Sequence, residues 1–136
     1  MHGPLPPDIA ALLRRGTVIP AHPLALDARR KLDTRRQRAL ARYYLDAGSG
    51  GLAVGVHATQ FAIRDAGLYE PVLKIAIEEA ANRKVVLIAG LAGKTAQVKR
   101  EAQIARGLGY HAGMLSLGAM KGASMDELVE HCAAVS

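Results

Sequence analysis

Four short apolar segments recur along the 136-residue chain at nearly even intervals, and this rhythm limits the possible folds more than any single motif does. Their centres lie near Val18, Ala53, Leu87 and Leu115, separated by 35, 34 and 28 residues. A strand, a crossover helix and their connections occupy about 30 residues, so the spacing predicts repeated right-handed strand-helix crossovers and a parallel sheet. The segments read as strands in GTVIPAHP, where two prolines end the run, and in GGLAVGV, KVVLIAG and AGMLSL.

Helix signals fill the intervals. Asp8 after Pro6 and Pro7 reads as the N-cap of a short helix, IAALLRR, closed by Gly16. Asp33 caps a helix expected over 34–47 with Gly48 as its stop, and a third helix is expected over 68–82 with Pro71 in its first turn. Thr95 opens a helix on which Val98, Ala102, Ala105 and Leu108 recur at helical spacing, and Ser124 with Glu127 forms a capping box for the last one. Residues 1–15 are thus a helical lead, and 16–136 hold about four βα units. Two closures fit. Four units can form a small doubly wound parallel sheet, complete in itself, or the N-terminal half of an (β/α)8 TIM barrel, which needs about 250 residues in full. In either case ligands bind beyond the carboxyl ends of the strands, in the loops AHPLA, HATQF, GLAGKT and LGAMKG.

Charge and composition exclude several function classes. A single cysteine, Cys132, leaves no internal disulfide, and its place on a helical apolar stripe predicts a core position. MHGPLPP has no basic region followed by an apolar one, and the longest apolar run, at 85–92, is too short to span a membrane, so a cytoplasmic protein without a membrane partner is expected. The net charge of +6 lies entirely in residues 1–44, which hold nine Lys/Arg against three Asp/Glu. Leu40, Tyr43, Tyr44 and Ala47 share one helical face and Arg35, Arg38 and Arg42 another, which predicts a solvated amphipathic face rather than a nucleic-acid surface.

No single motif carries chemistry by itself. Gly-Lys-Thr at 93–95 lies between a strand and a helix as in a phosphate-binding loop, but Ile88 stands where that loop needs its first glycine, leaving only a weak anion site at the helix N-terminus of Thr95, which in the doubly wound alternative would make the chain a small anion-binding domain. His22 and His57 follow neighbouring strands, yet no Asp, Glu or Cys lies beside either, so no metal is expected. Ser116 sits within an apolar strand without a nucleophile elbow.

Taken in order, these stretches resemble the first half of the dihydrodipicolinate synthase and N-acetylneuraminate lyase family. GTVIPAHPLALDARRKLD resembles the opening strand and the lead into the first helix, with His22-Pro23 where the family usually has Thr-Pro. LARYYLDAGSGGLAVGVHATQF resembles the first helix and the second strand with its G-[ST]-T-G-E loop, and RKVVLIAGLAGKTAQVKREAQIARGLGYHAGMLSL the third and fourth strands with the helix between them.

The resemblance implies a TIM barrel without a cofactor and a lyase or aldolase reaction on pyruvate or another 2-oxo acid. A lysine amine would form a Schiff base with the keto carbon, and the iminium would serve as electron sink. A tyrosine would relay protons with the help of a loop hydroxyl, while the other hydroxyl and backbone N–H groups hold the carboxylate. Aligned from Gly48 without a gap, the two hydroxyl positions fall on His57 and Ala58; with one inserted residue they fall on Ala58 and Thr59, leaving Gln60 for Gly and Phe61 for Glu. The second register keeps one hydroxyl. It makes His57, Ala58, Thr59 and Gln60 the substrate-binding candidates and Thr59 the catalytic one. In the family the relay tyrosine and the imine lysine lie on the fifth and sixth strands, which have no counterpart here. Lys31, Lys74, Lys84, Lys94, Lys99 and Lys121 match neither position, so the chain is expected to be a truncated, divergent form, inactive alone, that self-assembles as a homo-oligomer or joins a missing C-terminal half.

Overall fold

Three of the four apolar runs pair as a parallel sheet in the computed structural model, which describes residues 3–136; Met1 and His2 of the MHGPLPP opening lie outside the described residues. The strands are β1 (Gly51–Val54), β2 (Val86–Leu91) and β3 (Ala112–Leu115). The helices are α1 (Pro7–Arg15), α2 (Thr34–Asp46), α3 (Tyr69–Ala80), α4 (Thr95–Leu108) and α5 (Met125–Val135). Register runs from Ala53 to Ile88 and from Ile88 to Ala112.

The expected first strand is reduced to one bridge, between Ala21 and Ala53. The segment still lies along β1: Gly50 N–H donates to the Val18 carbonyl (2.9 Å), Ala53 N–H to Pro20 (3.0 Å), and His22 N–H to Ala53 (2.8 Å). The next ladder bond would come from the N–H of residue 20, which proline lacks, so regular pairing cannot extend toward Gly51.

The order is therefore leading segment, β1, β2, β3, each placed beside its predecessor in sequence. A doubly wound sheet reverses direction at a switch point and carries helices on both faces. Here Ala41 and Leu45 of α2, Val72, Leu73, Ala76 and Ala80 of α3, and Ala105 of α4 join one core with Leu52, Val54, Leu87 and Ala89 from one face of the sheet. Sequential order with helices on a single face is the wall of a partial TIM barrel, and the doubly wound alternative falls.

Several local expectations are corrected. Pro6, not Asp8, is the N-cap of α1; Pro7 occupies the first helical position, where a missing N–H costs nothing, and Asp8 lies in the first turn. Asp33 caps α2 through Arg36 N–H, and the Ser124–Glu127 capping box is formed. The buried face of α2 is Gln37, Ala41 and Leu45, while Tyr43 and Ala47 are exposed. Arg38 and Arg42 are not merely solvated: they pair with Glu78 and Glu79 of α3 at 2.6–2.9 Å, tying two helices together. Cys132 is half-buried with Leu128 and Val135, because α5 packs chiefly on α4 and only His131 of that helix is buried. Among the described residues, no helix is long and apolar enough to cross a membrane.

Candidate functional site

The inner face of the sheet and its carboxyl end form the site. Ala53 and Gly90 project inward, and with Ile19, Ala21, Val56, His57, Ala58, Phe61, Met114 and Ser116 they line an open, mainly apolar cavity of about 480 Å³. The turn after β1 passes close to β2: a Cβ on Gly90 would lie 2.3 Å from the Gly55 carbonyl oxygen, so only glycine fits there.

Beyond β1 the chain turns at Gly55, with φ of 77°, into two short 3-10 turns at His57–Thr59 and Phe61–Ile63. Thr59 is fully buried. Its hydroxyl accepts from Gly55 N–H (2.9 Å) and donates to the His22 carbonyl (2.7 Å). Thr59 thus anchors the loop and does not line the cavity, whereas His57 and Ala58 do. Among the described residues, no protein acceptor receives the N–H of His57 or Ala58, while Thr59 N–H turns back to Val56 and Gln60 N–H to His57. Gln60 is exposed and has φ of 73°, a conformation that glycine adopts without strain and a side chain does not.

His22 faces away from the cavity into the core at 1% exposure. His22 Nδ1–H donates to the Pro23 carbonyl (2.8 Å), which also accepts from the Gln37 side-chain amide N–H (2.9 Å), and the Gln37 side-chain oxygen accepts from Ala25 N–H (2.7 Å). Burial pushes the His22 imidazole below its ordinary pKa, holding it neutral, and its Nε2 has no partner. The two histidines do not converge. Among the described residues no group of three His, Cys, Asp or Glu side chains could hold a metal.

A buried ion pair, not foreseen from the sequence, braces this end of the sheet. Arg64 donates to both Glu101 oxygens (2.8 and 3.1 Å) and to the carbonyls of Gly55 (3.1 Å) and Gly90 (3.0 Å). Glu101 also accepts from Ala92 N–H (2.9 Å) and from Gln97 (3.0 Å), so the loop before Thr95 carries its own carboxylate. Arg64 stacks near the Tyr69 and Phe61 rings, and Tyr69 donates its hydroxyl to Gly90 (2.8 Å). Burial, with the charge of Glu101 adding to it, pushes the Tyr69 phenol upward, so it remains a protonated donor. One sequence signal existed: Glu101 falls on the apolar stripe of Val98, Ala102 and Ala105, where a carboxylate requires a buried partner.

No family model matches the sequence, and no curated protein matches it. Solved structures do. N-acetylneuraminate lyase from Mycoplasma synoviae superposes with a TM-score of 0.79 at 18% identity over 88% of this chain and 42% of its own. The E. coli K12 prophage protein YagE, of the dihydrodipicolinic acid synthase family and in complex with pyruvate, gives 0.79 at 21% identity over 87% and 40%. Dihydrodipicolinate synthase from Oceanobacillus iheyensis gives 0.78 at 13% identity over 85% and 38%. This chain has their fold over that span. It is a partial TIM barrel covering about 40% of the length of the solved structures it matches. All six lysines of this partial barrel are exposed, and none lines the cavity.

Proposed function

We propose that this chain is the carboxylate-holding wall of a cytoplasmic lyase or aldolase barrel, related to dihydrodipicolinate synthase and acting on pyruvate or another 2-oxo acid. The observation that carries the reading is the loop at 55–60. It follows β1 at the carboxyl end of a sequentially ordered parallel sheet, its residues His57 and Ala58 line the cavity, and among the described residues the N–H groups of both have no protein acceptor. Two adjacent N–H donors in a partly apolar setting suit one carboxylate of a small ligand. The positive φ of Gln60 supports the register in which it replaces the family glycine, with Ala58 and Thr59 at the hydroxyl positions.

In this reading His57 and Ala58 hold the substrate carboxylate through backbone N–H, and Thr59 positions them by anchoring the loop. Imine formation needs an unprotonated amine in a desolvated setting, and the exposed lysines do not supply one. The chain by itself therefore binds weakly and does not turn over. Titration of the isotopically labelled protein with pyruvate tests it: amide shifts confined to 55–60 support the reading, and shifts absent there overturn it. Incubation with pyruvate and borohydride leaves the mass unchanged; a pyruvyl adduct would overturn the assignment of the imine lysine to a part of the barrel beyond this chain.

A further inference from the structure

Gly55 opens the loop at 55–60, and side chains hold both of its backbone polar groups. Its N–H donates to the Thr59 hydroxyl (2.9 Å), and its carbonyl accepts from Arg64 Nη2 (3.1 Å). With φ of 77° and no Cβ, Gly55 has the widest backbone freedom of any residue type, and the peptides that carry the His57 and Ala58 N–H groups follow directly after it. A rotation at Gly55 would move both donors together.

The same guanidinium reaches across the sheet. Arg64 Nη2 also donates to the Gly90 carbonyl of β2 (3.0 Å), while Nε and Nη2 together take both oxygens of Glu101 on α4. Glu101 accepts from Ala92 N–H (2.9 Å), and Gln97, bonded to Glu101 at 3.0 Å, donates to the Ala92 carbonyl (2.9 Å). One ion pair thus fixes the loop after β1 against the loop after β2.

Stability alone does not account for this pair. Two charges with side chains 9% and 6% exposed have lost their hydration, and apolar residues of similar volume often serve a fold as well or better. Arg64 Nη1 is buried without a protein partner among the described residues, so the arrangement also leaves a donor unpaired. An apolar pair could not grip the Gly55 carbonyl. Arg64 does not itself line the cavity; Phe61, whose ring centre lies 5.4 Å from the guanidinium carbon, does.

We propose that Arg64 is a positioning residue of the carboxylate site: it holds the Gly55 carbonyl so that the His57 and Ala58 N–H groups are oriented before the ligand arrives. The inference rests on the 2-oxo acid reading of that loop. Donors fixed in advance bind more tightly because less ordering is lost on binding, so removing the clamp lowers affinity even where the fold survives.

Pyruvate titrations of the labelled chain, followed at the 55–60 amides, test it. Arg64→Met with Glu101→Leu removes both charges together, so no lone charge is left buried. Arg64→Lys keeps the charge opposite Glu101 but has no planar fork to span two carbonyls and a carboxylate. Each is expected to raise the pyruvate dissociation constant about tenfold or more with an unchanged circular dichroism spectrum. As a control, Leu45→Ala opens the core at the C-terminal end of α2, which leads into the amino end of β1, away from the site; it lowers the melting midpoint and leaves the dissociation constant unchanged. Wild-type affinity in either Arg64 variant that folds, or an equal loss of affinity in Leu45→Ala, would overturn the proposal and leave the carboxylate loop standing. Amides at 55–60 that ignore pyruvate in the unaltered protein would overturn the 2-oxo acid reading and the proposal with it.

Discussion

The Thr59 hydroxyl donates to the His22 carbonyl at 2.7 Å while accepting from Gly55 N–H at 2.9 Å, joining the loop after β1 to the end of the leading segment. Two backbone stretches meet at one side chain with no exposure. Thr59→Val keeps the shape but leaves a buried donor and a buried acceptor unpaired. It is expected to lower stability by about 2 kcal/mol, whereas Thr59→Ser, which restores both bonds, costs about 1 kcal/mol or less. Urea titration of both variants checks this. Equal losses would show that the methyl group, not the hydroxyl, secures the loop.

Arg64 and Glu101 form the other brace, with side chains only 9% and 6% exposed. Removing one partner leaves an uncompensated buried charge, so Arg64→Met or Glu101→Leu should each cost about 3–5 kcal/mol. The double variant should cost less than the two together, because no lone charge remains. A double-mutant cycle measures the coupling. Additive losses would mean that Arg64 acts mainly through the Gly55 and Gly90 carbonyls.

Gln60 holds φ of 73° and ψ of 118°, a region costly for any residue with a Cβ. Its side chain is exposed, so little packing is lost on truncation. Gln60→Gly relieves the strain at the cost of greater freedom in the unfolded chain, with a net gain expected of about 1 kcal/mol. Gln60→Ala, which keeps the Cβ, should gain nothing. Thermal midpoints of the two variants separate the cases.

The repeated spacing of apolar runs was enough to read a parallel sheet with crossover helices, because each run is bounded by Gly, Pro or a helix cap. The choice of closure was not legible, since it depends on strand order and on which face the helices cover. The leading strand was overread: its apolar character is real, but Pro20 removes a ladder donor on the paired side. Side-chain roles at the site were legible only as residue types. Thr59 could be singled out as a loop hydroxyl, but its partners lie 4 and 37 residues away and only the fold brings them together. Glu101 was visible as a misplaced charge on an apolar stripe, while Arg64, in a polar loop, gave no hint that it would be the partner.

Two histidines give the fold a defined response to acid. Burial holds both His22 and His111 below the ordinary imidazole pKa, and His111 Nδ1 accepts from Leu87 N–H at 3.0 Å, which requires that nitrogen to be unprotonated. The unfolded chain takes up protons near pH 6.5 while the folded chain does not. Stability contributed by these groups is therefore full above about pH 6.5 and is lost as the pH falls below it. Glu79, held below the usual carboxylate range by Arg42 and Arg38, responds in the same sense but only once the pH falls through the carboxylate range. Unfolding midpoints should therefore decline in two stages, the first set by imidazole. His111→Asn offers the Leu87 N–H an acceptor that does not titrate, so it should make the first stage shallower and leave the second unchanged. A midpoint flat from pH 7 to pH 5 would show that neither imidazole resists protonation in the fold.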